Sequence, residues 1–316
     1  MARAVVTGAA GFIGSTLVDA LLARGDTVVG VDCYTPYYDL ATKLANLRAA
    51  REDPGFQLHE ADLATADLRP VLEGAEVIYH QAGQPGVRPS WSSGFADYVT
   101  HNVLATQRLL GAATEEGVPR VVYASSSSVY GQAPTYPTDE RDLPAPHSPY
   151  GVTKLAAEHL CGLYAANWGL STVALRYFTV YGPRQRPDMA IHRLVRSAVT
   201  GEPFPLFGDG TAVRDFTFVD DVVRANIAAA SADVPAGTVL NIAGGSETTV
   251  TNLIELVGHI AGSPIAIERR SAQPGDVDRT GGAIERARSV LGWTPRIGLE
   301  DGIAAMVSWQ RASVPV

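Results

Sequence analysis

The chain has 316 residues, and the 46% of them that are hydrophobic suffice for a large buried core. Its net charge of −8 argues against a nucleic-acid partner and against an anionic membrane surface. The only two cysteines, Cys33 and Cys161, lie in apolar stretches, which favours buried free thiols over a disulfide or a cysteine-built metal site. Because no signal-peptide pattern follows Met1 and no run reaches ~18 apolar residues, we expect a cytoplasmic protein with no membrane partner.

Short β-branched runs alternate with longer amphipathic stretches through the first 180 residues. The predicted strands are residues 2–7, 27–32, 56–60, 77–81, 120–125 and 171–176. The predicted helices between them include residues 13–24, 98–116 and 149–168. Strands that are apolar on both faces and alternate with helices predict an α/β fold, a doubly wound parallel (Rossmann) sheet.

Beyond Arg176 the alternation loosens, and prolines and glycines cluster at 182–183, 201–205 and 208–210. A helix at 221–232 and a strand at 239–243 have the pattern of late additions to the sheet. We therefore predict a first domain over 1–180 that regains about 212–245, interleaved with a smaller C-terminal α/β domain within 181–316. No low-complexity linker separates them, so a shared crevice is expected.

A glycine-rich turn joins the first strand to the first helix. Gly8, Gly11 and Gly14 follow the strand, with Phe12 and Ile13 between the last two. Glycines at such a turn allow the backbone to approach a pyrophosphate, which the helix N-terminus attracts. Tight packing of the turn is the structural alternative, but the position between strand and helix favours a dinucleotide.

Acidic residues follow the second and third strands. Asp32 can accept hydrogen bonds from both ribose hydroxyls of NAD and would repel the 2′-phosphate of NADP, so NAD is the predicted cofactor. A turn or capping role is the alternative for Asp32. Asp62 and Leu63 are predicted at the adenine, although an acidic loop residue is often simply solvated.

Tyr150 and Lys154 are four residues apart near the start of the predicted helix 149–168, and this spacing puts both side chains on one face. A phenol ionises near pH ~10, so it needs a fixed cation to act as a base at neutral pH. Lys154 can supply that cation. Such pairs also occur by chance on amphipathic helices, so neighbouring motifs decide the interpretation.

Together these motifs resemble the extended short-chain dehydrogenase/reductase family, in its nucleotide-sugar epimerase and dehydratase branch. The glycine turn, Asn102, the Tyr150/Lys154 pair and residues 176–178 (RYF) fall in the family's order, and the resemblance extends to about Trp293. It implies NAD that stays bound through turnover, a base at Tyr150, an orienting Lys154 and a Ser126 hydroxyl that holds the sugar's 4-oxygen. The cofactor site that it implies also includes Lys43, Ala124 and Tyr177.

Two positions after Ser126 separate the reactions of this branch. The 4,6-dehydratases carry an Asp-Glu pair where this chain has Ser127 and Ser128, and UDP-glucuronate decarboxylases usually have glutamate at the second position. Neutral donors suit an anionic substrate, because a carboxylate accepts strong hydrogen bonds and is repelled by another carboxylate. The serines thus disfavour dehydration, and less decisively decarboxylation.

Residues 123–131 (YASSSSVYG) resemble UDP-glucuronate 4-epimerases, as do 86–88 (GVR), 179–189 (TVYGPRQRPDM) and 273–277 (QPGDV). The resemblance suggests a carboxylate pocket of Ser127, Ser128, Thr179 and Arg186, with a solvated or phosphate-binding role as the alternative for Arg186. Elsewhere in the UDP-sugar site, it implies Arg88 as a substrate contact, Leu206 and Phe207 beside the uracil, Arg214 on the diphosphate, and Asp276 at the ribose or beside Arg214.

The chain departs from the galactose epimerases at Gln273, where those enzymes have an arginine. Either Arg279 or Arg269 would then assist Arg214 at the diphosphate.

His80, His101 and His192 lack metal-like spacing, so we predict no metal. The long helices 98–116 and 149–168 match the family's dimer helices, which implies a homodimer. Decarboxylation, epimerisation of a neutral UDP-hexose and a non-catalytic NAD-binding regulatory role remain the alternatives.

Overall fold

The computed structural model describes residues 2–92, 94–272 and 275–313. Its strands are β1 Arg3–Thr7, β2 Thr27–Asp32, β3 Phe56–Glu60, β4 Val77–His80, β5 Val121–Ser126, β6 Thr172–Tyr177, β7 Val180–Tyr181, β8 Phe204–Phe207, β9 Val213–Phe218, β10 Thr238–Ile242, β11 Ser246–Thr249 and β12 Ile267–Arg270. Its α-helices are α1 Phe12–Ala23, α2 Leu40–Asn46, α3 Arg69–Leu72, α4 Phe95–Tyr98, α5 Ala105–Glu115, α6 Pro149–Trp168, α7 Ala190–Thr200, α8 Val219–Ser231, α9 Val250–Ala261, α10 Glu285–Leu291 and α11 Leu299–Ser313.

Seven of these strands form one parallel sheet in the order β10-β6-β5-β4-β1-β2-β3. The seven strands predicted from sequence are these seven, with bounds that agree within one residue. The predicted α/β fold with a doubly wound parallel sheet is confirmed. The sheet order reverses between β1 and β4, where a crevice opens at the carboxyl ends of the strands.

Both faces of the sheet are covered, because neighbouring residues of a strand point to opposite sides. Val122 and Val173 belong to the hydrophobic cluster on one face, whereas Val121, Tyr123 and Ala174 belong to the cluster on the other. This double burial explains the continuous apolar runs of β5 and β6.

Helix α6 starts and stops at capping residues. The Ser148 hydroxyl accepts a hydrogen bond from Gly151 N at 3.1 Å, Pro149 occupies the first turn, and Gly169 ends the helix with φ 70°. These signals lie in the sequence, and the predicted bounds 149–168 match α6. Tyr150 therefore sits in the first turn, one residue after Pro149.

The predicted single helix 98–116 is wrong in detail. The segment Val99–Leu104 is π-helical and separates α4 from α5. The wider turn is accompanied by a hydrogen bond from Thr106 Oγ1 to Asn102 O at 2.6 Å and by the burial of the Asn102 side chain against the distant loop after β4. Insertions of this kind often mark functional sites.

The remaining strands form two small sheets, β11-β9-β7 and β12-β8. Helices α7, α9 and α11 pack together beside them. The boundary predicted near residue 180 stays a prediction. In the part of the chain that the structure covers, no helix has the length and apolar character that a bilayer crossing requires.

Candidate active site

Backbone hydrogen bonds hold the glycine turn between β1 and α1 against strand β2. Gly8 N donates to Val31 O at 2.7 Å, and Gly8 has φ +67°, a left-handed conformation that favours glycine. A Cβ at Gly14 would collide with the carbonyl oxygen of Gly8. No side chain caps the N-terminus of α1 at Gly11, so its first N–H groups are available to an anion.

Asp32 ends β2 beside this turn and is held by two backbone donors. Its Oδ2 accepts from Ala10 N at 3.0 Å and its Oδ1 accepts from Tyr34 N at 2.8 Å. The second bond is the turn role considered as the alternative, so Asp32 orders the turn while also lining the central cavity. The two interpretations of this residue are compatible.

One cavity, about 1160 Å³ including its open mouth, lies at the carboxyl ends of the central strands. All the predicted cofactor residues line it: Gly8, Gly11, Phe12, Ile13, Gly14, Asp32, Lys43, Asp62, Leu63, Ala124, Tyr150, Lys154 and Tyr177. Lys43 Nζ donates to Thr35 O at 2.7 Å, which fixes the loop between β2 and α2. The glycine turn and Tyr150 thus line one cavity, and this lining suits a dinucleotide whose pyrophosphate lies at the N-terminus of α1.

The Tyr150/Lys154 pair lies at one end of this cavity. Lys154 Nζ donates to Ala124 O at 2.7 Å, and burial lowers the pKa of Lys154 to about 8. Burial also raises the pKa of the Tyr150 phenol, while its hydrogen bond with Ser126 and the charge of Arg186 oppose that rise. A phenol in this setting needs the lysine cation to act as a base.

Asn102, in the π-helical segment, positions the turn of α6 that carries Tyr150. Its Nδ2 donates to Thr153 Oγ1 at 3.0 Å, and Thr153 Oγ1 donates in turn to Tyr150 O at 2.8 Å. Its Oδ1 accepts from Gln84 N at 2.7 Å. The buried amide thus ties the loop after β4 to the backbone of the tyrosine.

A buried ion pair supports the same helix from behind. Glu158 follows Lys154 by one turn, and its Oε2 accepts from Arg176 Nε at 3.0 Å and from Ser125 Oγ at 2.7 Å. Ser125 and Arg176 are paired in register, one residue before Ser126 and Tyr177. Removing one partner of such a pair typically costs about 3–5 kcal/mol, so this network fixes α6 against the strand ends.

The predicted carboxylate pocket is spread over two strand ends. Ser126 ends β5, its Oγ accepts from Ser128 N at 3.1 Å, and Ser127–Val129 forms a 3-10 turn. Thr179 follows β6, the strand next to β5. Arg186 lines the cavity with Tyr150, and its side chain is only 19% exposed, which disfavours the solvated-loop alternative.

Three of the predicted substrate residues contact one another through Arg88. Arg88 Nη2 lies 2.8 Å from Asp276 Oδ2, and the Arg88 guanidinium lies 4.2 Å from the centroid of the Phe207 ring. Leu206 is buried in β8. Asp276 is thus paired with Arg88, and its charge also opposes the lowering of the pKa of Arg214 by burial, so it acts on Arg214 as expected. Its role at the ribose stays a prediction.

Arg214, predicted on the diphosphate, does not pair with the neighbouring Asp215 or with Asp209. It donates to Val213 O at 2.8 Å, whereas Asp215 accepts from the backbone N of Gly245 at 3.0 Å. Of the arginines left open as its helpers, Arg279 is ion-paired with Glu247. Gln273 and Pro274 lie outside the described residues.

The histidines differ from one another. His80 is buried between Thr7 and Thr106, and burial lowers its pKa to about 3. His101 lies with Asp62 and Cys33, and their potential ligand atoms fall within 4.8 Å of one another. Spacing along the chain did not reveal this cluster, which belongs to the cavity wall where the adenine is predicted. The absence of a metal stays a prediction.

Several cavity residues were missed from the sequence. Tyr37, Tyr38, Gln81 and Gln84 all line it. Gln81 and Gln84 follow β4 at the sheet edge, and this position after a strand was the available signal. Tyr37 and Tyr38 lie in the loop after Asp32, where nothing in the local pattern separates them from surface aromatics.

The family profile described as NAD dependent epimerase/dehydratase family matches residues 4–243. The chain therefore belongs to the NAD-dependent epimerase/dehydratase family, and its cofactor is NAD. The tightly bound state of that cofactor remains a prediction.

Similar proteins cover essentially the whole chain. A Bacillus cereus UDP-glucuronic acid 4-epimerase, solved with UDP-glucuronic acid and NAD, is 40% identical with a TM-score of 0.95, over 98% of this chain and 99% of that one. The UDP-glucuronate 4-epimerase of Thermodesulfobacterium geofontis is 35% identical over 98% of this chain and 96% of its own length. The UDP-glucose 4-epimerase of Mycolicibacterium smegmatis is 40% identical over 98% of each chain. Overall identity therefore does not choose between a carboxylated and a neutral hexose.

Proposed function

We propose that this protein is a UDP-glucuronate 4-epimerase that interconverts UDP-glucuronate and UDP-galacturonate. The observation that carries the proposal is Arg186, a largely buried arginine in the wall of the cavity that also holds Tyr150. Neutral serines follow Ser126 where acid residues would serve dehydration. A guanidinium and small hydroxyl donors together suit a sugar carboxylate.

The chain's own residues divide the reaction between them. Tyr150 takes the proton of the 4-hydroxyl, Lys154 favours the phenolate, and Ser126 holds the 4-oxygen. NAD, when bound along the glycine turn, would supply the hydride acceptor and donor that oxidation and re-reduction at C4 require. Between the loss and the return of the 4-hydroxyl proton, the 4-keto sugar rotates in the pocket and presents its opposite face, and Tyr150 then returns the proton.

The 4-keto intermediate is prone to a side reaction, the loss of its carboxylate as CO₂. With a carbonyl at C4 and a carboxylate on C5, it is a β-keto acid and can lose CO₂ when the carboxylate bond aligns with the carbonyl π-system. Ser127, Ser128, Thr179 and Arg186 hold the carboxylate away from that alignment. Retention of the carboxylate is what distinguishes epimerisation from decarboxylation on the same scaffold.

The direct test is to incubate the purified protein with UDP-glucuronate and to resolve the products by NMR. UDP-galacturonate supports the proposal. UDP-xylose or a UDP-4-keto-pentose would instead support decarboxylation, and an unchanged substrate would contradict both. UDP-glucose is the second candidate substrate, favoured by the similarity to the Mycolicibacterium smegmatis enzyme, and conversion of it alone would replace the proposal.

We expect Thr179→Ala and Ser128→Ala to raise the proportion of pentose by-product about 10-fold, because each removes a hydrogen bond to a charged group. NMR integration of pentose against epimer measures it. Thr200→Ala, at the exposed end of α7, is a matched control and should leave the proportion unchanged. An unchanged ratio in both pocket variants would contradict the role of these hydroxyls.

The proposal includes the location and assembly of the protein, which is a homodimer in the cytoplasm. Val152 and Leu163 lie three turns apart on one face of α6 and are 51% and 54% exposed, and Val99 and Leu104 are exposed on the neighbouring π-helical segment. A second copy would cover this apolar surface. Free Cys33 and Cys161 fit a reducing compartment.

We expect Leu163→Arg to shift the protein from dimer to monomer in sedimentation velocity, because a charge in an apolar interface lacks a partner. Leu143→Arg is the control, since Leu143 is 86% exposed and lies outside α5 and α6. A wild-type monomer, or a Leu163→Arg variant that remains dimeric, would contradict this interface.

A further inference from the structure

Arg186 is held by the carboxylate of Asp188, to which the sequence analysis assigned no role. Its Nε donates to Asp188 Oδ1 at 3.0 Å and its Nη2 donates to Asp188 Oδ2 at 3.1 Å. This bidentate pair uses one whole edge of the guanidinium. Within the described residues, no acceptor is found for Nη1, so its two N–H groups and the second N–H of Nη2 are left for a ligand in the cavity that Arg186 lines.

Asp188 is held in turn from the cofactor side. Tyr37, in the loop that follows Asp32, donates its hydroxyl to Asp188 Oδ2 at 3.2 Å, and the Arg186 guanidinium lies 5.7 Å from the centroid of the Tyr37 ring. Tyr37 and Arg186 both line the cavity. A hydrogen bond and a ring thus constrain the arginine from a loop that belongs to the NAD-binding part of the sheet.

The close approach of Tyr37 depends on a glycine near the catalytic tyrosine. A Cβ on Gly86, which has φ +102°, would lie 2.5 Å from the Tyr37 hydroxyl. The Tyr98 hydroxyl donates to Gly86 O at 2.9 Å, and the Tyr98 ring packs edge-on against Tyr150 at 6.3 Å between centroids. Contacts therefore run from Tyr150 through this turn to Tyr37 and Asp188.

Charge gives this arrangement a specific consequence. Asp188 shares the positive charge of Arg186, so a ligand carboxylate meets a partly compensated guanidinium in one fixed orientation. A hydrogen bond to a charged acceptor is about twice as strong as one to a neutral hydroxyl, but only when its geometry is maintained. Without Asp188, Arg186 would keep its charge and lose its fixed direction.

We propose that Asp188 and Tyr37 are positioning residues that aim Arg186 at the sugar carboxylate, and that they set the preference for carboxylated over neutral UDP-hexoses. The inference rests on the proposed function and deepens it. Arg186 touches the substrate, whereas Asp188 and Tyr37 act through Arg186.

The test measures the ratio of Kd values for UDP-glucose and UDP-glucuronate by calorimetry on the NAD-loaded protein. All variants carry Tyr150→Phe, so that no turnover occurs during titration. Asp188→Ala should reduce the preference for UDP-glucuronate about 10-fold, and Tyr37→Phe should reduce it by a smaller factor because the ring remains. Affinity for UDP-glucose should stay within about twofold, a result that general damage to the fold would not give.

A double-mutant cycle separates positioning from an independent contribution. Arg186→Met should abolish the preference, and Asp188→Ala added to it should cause no further loss. Glu202→Gln is the matched control, because it breaks the exposed pair with Arg196 in the same part of the chain and should leave the preference intact. If Asp188→Ala does not fold, Asp188→Asn preserves the shape of the side chain and removes its charge.

The outcomes distinguish the two proposals. If the Tyr150→Phe protein, without further substitutions, binds UDP-glucose as tightly as UDP-glucuronate, the carboxylate pocket and the proposed function are both overturned. A preference that survives Asp188→Ala, Asp188→Asn and Tyr37→Phe would overturn the positioning role alone. Equal weakening of both ligands, or a further loss in the Arg186→Met background, would also overturn it.

Discussion

Replacing Tyr150 with phenylalanine is expected to lower kcat by about 10³-fold while NAD remains bound. General base catalysis contributes about 10²–10⁴-fold, and phenylalanine retains the ring but lacks the group that exchanges the proton. The Tyr150 ring can keep its edge contact with Tyr98, so the cavity should keep its shape. Turnover is measured by NMR with UDP-glucuronate, and cofactor content by the absorbance of NAD released on denaturation.

Tyr164→Phe is the matched control for this variant. Tyr164 lies on the same helix, α6, and its hydroxyl accepts from Gln107 Nε2 at 2.9 Å on the exposed side. Its loss should leave kcat within about twofold, as expected for a surface substitution. Full activity in Tyr150→Phe would contradict the catalytic assignment, and an inactive variant that had also lost NAD would leave binding as the cause.

Gly14→Ala is expected to weaken NAD binding by about 10–100-fold, the equivalent of about 1–3 kcal/mol of overpacking. The added methyl group collides with the Gly8 carbonyl oxygen, which is backbone and has little freedom to withdraw. The turn must open, and the N–H groups at the start of α1 then move from their anion-binding positions. Cofactor content after purification and titration of the apoprotein with NAD measure the effect.

Gly298→Ala provides the same substitution at a site without this constraint. A Cβ at Gly298 would meet no atom within 4 Å, and its φ lies outside the left-handed region. NAD content should match that of the wild type. Normal NAD affinity in Gly14→Ala would contradict the placement of the pyrophosphate at this turn.

Local sequence signals predicted the sheet well. The strands carry apolar residues on both faces, and Ser148, Pro149 and Gly169 mark the ends of α6 in the chain itself. Hydrophobic periodicity and helix-capping residues are local properties of the sequence, so they can be recognised without knowledge of the tertiary contacts. The π-helical turn was missed because its cause, the burial of Asn102 against Gln84 and Thr153, joins segments far apart in sequence.

The substrate side was harder to predict for the same reason. Asp276 was expected at the ribose or beside Arg214, and its pairing with Arg88 spans 188 residues. Likewise, Tyr37 meets Asp188 across 151 residues, and no periodicity or short motif reports such a contact. Family resemblance named Arg186 but not the residues that hold it.

The parallel sheet, the glycine turn, the Asp32 carboxylate and the Tyr150/Lys154 pair can all be recognised in the chain, because each depends on spacing within one strand-helix unit. The packing of distant segments establishes which of these residues share a cavity and which charges compensate one another. Arg186 illustrates the difference: its identity is local, whereas its direction depends on Asp188 and on Tyr37 from a distant loop. A guanidinium selects a carboxylate through its fixed position and direction, and the packing of chain segments against one another sets both.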